Sequence, residues 1–173
     1  MKNFSGQVLF LDRSDINTDE IIPAKYLTEN TKEALKPHIL EDLHLKGFDA
    51  AKDITGKNVI VSRSNFGCGS SREHAVWVFE ENDINVVIAE SFARIFRQNM
   101  FNCGMLAIEL PKTEIDALFK LESGAVINVD LEQSRIIAEN GKEEEKVIPF
   151  TLNPFDRELV MAGGWLTYAD SKY

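Results

Sequence analysis

The residues best suited to chemistry lie together in one glycine-rich segment, Asn65-Phe66-Gly67-Cys68-Gly69-Ser70-Ser71-Arg72-Glu73-His74-Ala75. Its two glycines permit backbone angles that other residues avoid, and they let a ligand approach the main chain closely. Ser70 and Ser71 supply hydroxyls, while Arg72 supplies a planar cation that can hold a carboxylate through two hydrogen bonds. The segment therefore predicts a binding site for an anion.

The elements around this segment would position it at the start of a helix. Residues 58–62 are apolar and β-branched, which predicts a buried strand, and residues 73–81 contain no Gly or Pro, which predicts a helix. The first turn of a helix offers unpaired N–H groups and a partial positive charge, and both favour an anion. A simpler interpretation is that Ser70 and Glu73 form a capping box that only begins the helix.

Other motifs fit this segment less well. A dinucleotide-binding fingerprint would need Gly where Arg72 stands, and the chain has neither a Gly-Lys-Ser/Thr loop nor a G-x-S-x-G motif. Cys68 lies near a helix start with His74 close in sequence, so an activated thiol is a third interpretation. A strongly lowered pKa of the Cys68 thiol would favour it.

A polar segment nearer the amino terminus imitates a calcium-binding loop. Asp15, Asn17 and Asp19 alternate as EF-hand ligands do, but Glu20 replaces the required glycine and Tyr26 replaces the bidentate glutamate. Calcium binding is therefore disfavoured, and turns stabilised by the Asn and Asp side chains account for the polar residues.

The composition limits the class of protein. The length of 173 residues predicts one domain, 1–173, with a sizeable core. A net charge of −9 without a basic tract argues against nucleic acid as a partner, and no apolar run is long enough to span a membrane. The amino terminus lacks the apolar core of a signal peptide, and Cys68 and Cys103 form neither a disulfide framework nor a metal motif. These features predict a cytoplasmic protein.

Alternating strands and helices predict a parallel sheet. The predicted strands cover residues 6–11, 58–62, 84–89 and 105–110. Ser91 and Thr113 are predicted to cap the helices that follow the third and fourth strands. A short helical turn at 31–36 is expected to stop at Pro37, and residues 40–53 are expected to be irregular.

After Gly124 the pattern changes to short strands, which predicts a β-meander. These strands cover residues 126–131, 135–138 and 146–150, with a tight turn at Asn140-Gly141 and a solvated acidic run at 143–145. Pro154 is expected at the first position of a last helix, which Gly163-Gly164 closes.

The segment 65–75 resembles the signature of the aconitase superfamily, in particular the family of small subunits of 3-isopropylmalate dehydratases and homoaconitase-type enzymes. Residues 15–27 resemble that family's amino-terminal motif, residues 91–99 with Cys103-Gly104 resemble its next helix, and 162–166 resemble its carboxy-terminal motif. The resemblance extends over nearly the whole chain. It implies an α/β swivelling β/β/α domain with a mostly parallel core sheet and an added β-meander.

The resemblance also implies an activity. Enzymes of this superfamily are hydro-lyases that remove water from a hydroxy acid and add it back in the other register. It implies no cofactor in this chain, and a 4Fe–4S cluster in a large partner subunit. Carried over by motif, Ser70 is the base that removes a carbon-bound proton, Ser71 hydrogen-bonds the substrate and Arg72 holds its carboxylate. Asp19 belongs to the same site.

The substrate is expected to be a small di- or tricarboxylic hydroxy acid. In related small subunits the loop corresponding to 28–32 contacts the variable group, so Thr28 and Glu29 are candidate substrate-binding residues. No arginine occurs between Arg13 and Arg63, so this loop has no arginine for a third carboxylate. Isopropylmalate, an intermediate of leucine biosynthesis, is favoured. Homoaconitate, another malate-type acid, and a non-catalytic module that binds a carboxylate or phosphate remain alternatives.

Overall fold

The computed structural model describes residues 1–141 and 145–173 and contains, within them, a sheet of seven strands in the order β4-β3-β2-β1-β5-β6-β7. The strands are β1 Ser5–Leu11, β2 Lys57–Ser62, β3 Val86–Ala89, β4 Leu106–Glu109, β5 Val126–Asp130, β6 Arg135–Glu139 and β7 Lys146–Pro149. Strands β1 to β4 pair in parallel, whereas β5, β6 and β7 continue the sheet from β1 as an antiparallel meander. The predicted α/β fold, with a parallel core and an added meander, is confirmed.

The parallel strands lie in the interior because helices cover the sheet. Every residue of β3 is buried, and the pairs Ile60 with Val87 and Ile88 with Ile108 align fully buried side chains across neighbouring strands. Strands buried on both faces need continuous apolar runs, which is the pattern seen in the sequence. The buried apolar residues form one continuous cluster.

The helices follow the strands in the predicted order. They are α1 Thr18–Ile21, α2 Ala50–Asp53, α3 Glu73–Glu81, α4 Arg94–Asn102, α5 Lys112–Phe119, α6 Pro154–Ala162 and α7 Trp165–Lys172, with 3-10 helices at Ala24–Tyr26 and Glu33–His38. Pro154 lies in the first turn of α6, and Gly163 ends that helix with φ 90°, as predicted. Among these described helices, none has the length and apolar character needed to cross a bilayer.

Two predicted helix caps are wrong. The Ser91 hydroxyl accepts a hydrogen bond from the Asn65 N–H at 2.8 Å, and α4 begins only at Arg94, without a side-chain cap. Helix α5 begins at Lys112, so Thr113 lies inside its first turn rather than before it. A side-chain cap stabilises a helix by about 1 kcal/mol. Ser91 forms a hydrogen bond to the neighbouring loop instead of a cap.

Three further predictions differ from the structure. Pro37 lies inside the 3-10 helix Glu33–His38 and does not end it. Residues 40–53, expected to be irregular, contain α2, and the helix expected to be the last, α6, is followed by α7. Of the acidic run, Glu145 is exposed, whereas Glu143 and Glu144 lie outside the described residues.

Candidate active site

Three loop segments meet beyond the carboxyl ends of β1, β2 and β3. They comprise residues 12–17, 63–72 and 90–93, which follow these strands in turn. In open α/β sheets, ligands bind in the crevice outside the carboxyl ends of the strands. The three segments include parts of all three motifs that the sequence places before residue 100, so the fold brings these motifs to one edge of the sheet.

Main-chain hydrogen bonds join the first segment to the glycine-rich loop. The Gly67 N–H donates to the Ile16 carbonyl at 2.8 Å, and the Thr18 N–H donates to the Cys68 carbonyl at 2.9 Å. The Thr18 side chain adds a third bond, because its hydroxyl donates to the Ser70 carbonyl at 2.8 Å. Thr18 is only 1% exposed, so this bond holds the main chain of Ser70 against a rigid part of the core.

Main-chain hydrogen bonds also join the glycine-rich loop to the third segment. The Phe66 N–H donates to the Ser91 carbonyl, and the Ala93 N–H donates to the Phe66 carbonyl, both at 3.0 Å. Gly67 has φ 81°, and a Cβ atom there would overlap the Phe96 ring. Only glycine meets both conditions, because other residues disfavour positive φ and carry a side chain.

A cleft of about 220 Å³ opens where the segments meet. It is lined by Thr18, Gly67, Gly69, Ser70, Ser71, Arg72, Ala93, Arg94, Ile95 and Phe96. Ser70 and Ser71 are both exposed. The N-cap of α3 is Arg72, without a side-chain cap bond, so the capping box of Ser70 with Glu73, the simpler interpretation of this segment, is not formed. The serines therefore precede the helix and line the cleft.

Arg72 is oriented by an ion pair with Asp19. Its Nη1 atom donates to the Asp19 carboxylate, and its side chain is 15% exposed compared with 60% for Asp19. A guanidinium carries five N–H donors, so the bond to Asp19 leaves others for a ligand carboxylate. The structure thus brings Asp19, Ser70, Ser71 and Arg72 together.

The segment that resembles a calcium loop instead begins helix α1. Asn17 accepts a hydrogen bond from the Glu20 N–H at 2.9 Å, and the Glu20 carboxylate accepts one from the Asn17 N–H at 3.1 Å. This capping box places Thr18 and Asp19 in the first helical turn, facing the glycine-rich loop. Burial raises the pKa of Glu20, but hydrogen bonds from Arg13 and Asn17 lower it more, so its pKa lies below the usual value.

The environment of Cys68 disfavours a thiolate. Burial, and next the negative charge of Asp15, raise the pKa of the Cys68 thiol. His74 lies against Trp77, with ring centroids 4.7 Å apart. A thiol nucleophile needs a lowered pKa, so the interpretation of Cys68 as a catalytic residue is not supported.

The two loop residues proposed to contact the substrate lie elsewhere. Thr28 and Glu29 are exposed and do not line the cleft. Their loop is fixed to the outer face of α3 by Lys32, which pairs with Glu80 at 3.1 Å and lies 5.2 Å from the centre of the Trp77 ring.

Two polar residues that line the cleft, Thr18 and Arg94, were not among the candidates from the sequence. Both lie inside motifs that the sequence singled out, Thr18 beside Asp19 and Arg94 within 91–99. Their presence in these motifs was the only indication in the sequence that they belong to the site. A motif does not show which of its side chains line the cleft.

Comparisons with known proteins place the chain in a family. Residues 2–113 match the family described as the aconitase C-terminal domain. The chain belongs to this family. It is also similar to the crystal structure of 3-isopropylmalate dehydratase (leuD) from Methanocaldococcus jannaschii, with 33% identity and a TM-score of 0.79, over 97% of this chain and 93% of that one. The predicted relationship to the aconitase superfamily is confirmed.

Proposed function

We propose that this chain is the small subunit of a two-chain hydro-lyase that interconverts 2-isopropylmalate and 3-isopropylmalate by dehydration and rehydration, a step of leucine biosynthesis. The observation that carries the proposal is the position of Ser70. Its main chain is fixed by the buried Thr18, and it lies beside Arg72 in a cleft at the carboxyl edge of the sheet. The similarity to 3-isopropylmalate dehydratase supports the same activity.

Ser70 is proposed as the base. Its oxygen, as an alkoxide, would take the proton from the carbon next to the one that bears the hydroxyl. On rehydration it would deliver that proton to the carbon that first carried the hydroxyl. A serine hydroxyl is a very weak acid, so its anion needs stabilisation. The Arg72 guanidinium and the first N–H groups of α3 are the positive groups beside it, and they act most strongly in a site without water.

Arg72 and Ser71 are proposed to hold the substrate. Arg72 would grip one carboxylate through donors that the Asp19 contact leaves available. Asp19 would keep the guanidinium in one orientation, which reduces the entropy lost when substrate binds. Ser71, exposed at the cleft, would donate a hydrogen bond to the substrate.

The partner is proposed to be a large subunit that carries a 4Fe–4S cluster. Within residues 1–141 and 145–173, no group of three or more His, Cys, Asp or Glu side chains could hold a metal ion, which supports a cluster that is bound by the partner. The cluster would supply the Lewis acid for the leaving hydroxide. Cys68 and Cys103 are free thiols, which agrees with the reducing cytoplasm as the proposed location.

Homoaconitate is the second candidate substrate, because of the loop at 28–32. We propose that Thr28 and Glu29 contact the variable group of the substrate in the assembled enzyme. An apolar pair would suit an isopropyl group, and an arginine would suit an additional carboxylate. The polar pair found here is neither, so both substrates belong in the assay.

Replacement of Ser70 by alanine tests the proposal. In the enzyme assembled with a cluster-loaded large subunit, Ser70→Ala should lower turnover about 10²- to 10⁴-fold, the usual contribution of a general base. Alkene absorbance measures the rate, and Ser123→Ala, which removes an exposed hydroxyl outside the cleft, is the matched control. Turnover within a factor of ten of the wild type would refute the role of Ser70. If no large subunit restores turnover while a carboxylate still binds, the chain is a binding module.

A further inference from the structure

Arg94 differs from the other arginines because its side chain has no partner among the described residues. Of the seven arginines, six form a hydrogen bond or an ion pair with another described residue, namely Arg13, Arg63, Arg72, Arg97, Arg135 and Arg157. Within the described part of the chain, the Arg94 side chain has neither kind of contact and is exposed. An exposed arginine usually contacts only solvent, so a functional role for Arg94 must be argued from its position in the fold.

The position of Arg94 is unfavourable for the helix that carries it. It is the first residue of α4, a nine-residue helix without an acidic residue in its first turn. Because a helix N-terminus carries partial positive charge, a cation there is disfavoured. Departures from such local rules are expected at functional sites, where another interaction compensates for them.

Arg94 also lines the same cleft as Ser70 and Arg72. The cleft therefore has a second arginine, which comes from a different segment and pairs with no carboxylate among the described residues. Arg72, in contrast, already contacts Asp19. Two cations and two helix N-termini at one small cleft favour a ligand with more than one negative charge.

We propose that Arg94 binds the second carboxylate of the hydroxy-acid substrate, while Arg72 binds the first. This inference rests on the proposed function, because it takes the malate-type acid as the ligand. With both carboxylates held, the carbon between them that loses its proton would be fixed relative to Ser70. Arg94 is then a substrate-binding residue that selects dicarboxylates over monocarboxylates.

The test compares Arg94→Gln, Arg94→Lys and the control Arg135→Gln in the assembled enzyme. Arg135 pairs with Asp130 on the meander, so its replacement removes the same charge away from the cleft. Loss of a charge-assisted hydrogen bond pair should raise KM for isopropylmalate about 10- to 100-fold in Arg94→Gln. Arg94→Lys should recover part of the loss, and Arg135→Gln should leave KM unchanged.

Binding titrations identify the contact directly. A malate-type dicarboxylate should bind Arg94→Gln about 10- to 100-fold more weakly than the wild type. The dicarboxylate has two monoamides, and in one of them a neutral amide replaces the carboxylate that faces Arg94. That monoamide should bind the wild type and Arg94→Gln equally. These titrations do not depend on turnover, so they decide the role of Arg94 even if isopropylmalate is not converted and the proposed function fails.

Two results would overturn the inference. One is an unchanged affinity of Arg94→Gln for the dicarboxylate. The other is a weaker association of the two subunits in Arg94→Gln, measured by titrating this chain into the large subunit, with equal losses for the dicarboxylate and both monoamides. The second result would make Arg94 a contact between subunits.

Discussion

The hydrogen bond from Thr18 to the Ser70 carbonyl offers the sharpest test of how this fold positions its site. Thr18→Val removes the hydroxyl that donates at 2.8 Å and keeps nearly the same shape in a residue that is 1% exposed. We expect a modest loss of stability and a larger loss of turnover. The two effects differ because the bond holds one exposed loop residue rather than the core.

The structure sets the size of each effect. An intramolecular hydrogen bond contributes about 0.5–1.5 kcal/mol, and an acceptor left fully buried without a partner costs more. Ser70 is exposed and its bond to Thr18 is only partly buried, so the range of about 0.5–1.5 kcal/mol applies. The unfolding free energy should fall by about 1 kcal/mol, which corresponds to roughly 3 °C in Tm for a chain of this length. A displacement of a reacting group by about 1 Å can cost about 100-fold in rate, so turnover should fall about 10- to 100-fold.

Urea denaturation of the isolated chain measures the first effect, and turnover of the assembled enzyme at saturating substrate measures the second. Thr55→Val is the matched control, because the exposed Thr55 hydroxyl reaches the Ala51 carbonyl only at 3.5 Å. This control should change stability by less than about 0.5 kcal/mol and leave turnover intact. Equal turnover in Thr18→Val and Thr55→Val would refute the view that this bond positions Ser70.

Two further predictions concern Glu20 and the loop at 28–32. Arg13 and Asn17 stabilise the ionised Glu20, so its pKa in the folded protein lies below the usual value of 4.5. The stabilisation is present above pH 4.5, and it is lost as the pH falls through the pKa of Glu20 in the folded protein. The difference in unfolding free energy between wild type and Glu20→Gln should therefore be about 1–2 kcal/mol at neutral pH and shrink below about pH 4.5; a constant difference in urea titrations would contradict this. Replacing Thr28 and Glu29 by Val and Leu should shift kcat/KM toward isopropylmalate over homoaconitate by about 10- to 200-fold, whereas equal changes for both substrates would show that the loop does not discriminate.

Local patterns in the sequence were sufficient to predict the parallel strands and helix α3. The apolar runs of β2, β3 and β4 and the uninterrupted stretch Glu73–Glu81 predicted these strands and α3 closely, because burial on both faces and helix formation leave periodic signals within a few residues. The sequence also indicated that Gly67 and Gly69 could adopt backbone angles that other residues avoid. The motif resemblance identified the family.

Tertiary contacts decided the details that local signals left open. Three residues of a type that often caps helices do not cap one here, namely Ser70, Ser91 and Thr113. A cap competes with other hydrogen bonds of similar strength, and Ser91 instead binds the N–H of Asn65 across the sheet edge.

The composition of the cleft could be known only from the fold. Thr18 and Ser70 are 52 residues apart in the chain, and their hydrogen bond exists because β1 and β2 are neighbours in the sheet. Arg94 reaches the same cleft because β3 lies next to β2, so that the loop after β3 packs on the glycine-rich loop. The sequence alone determined which residue types were available for an anion site. The order of the strands decided which of them face one another, because that order fixes which loops share the carboxyl edge of the sheet.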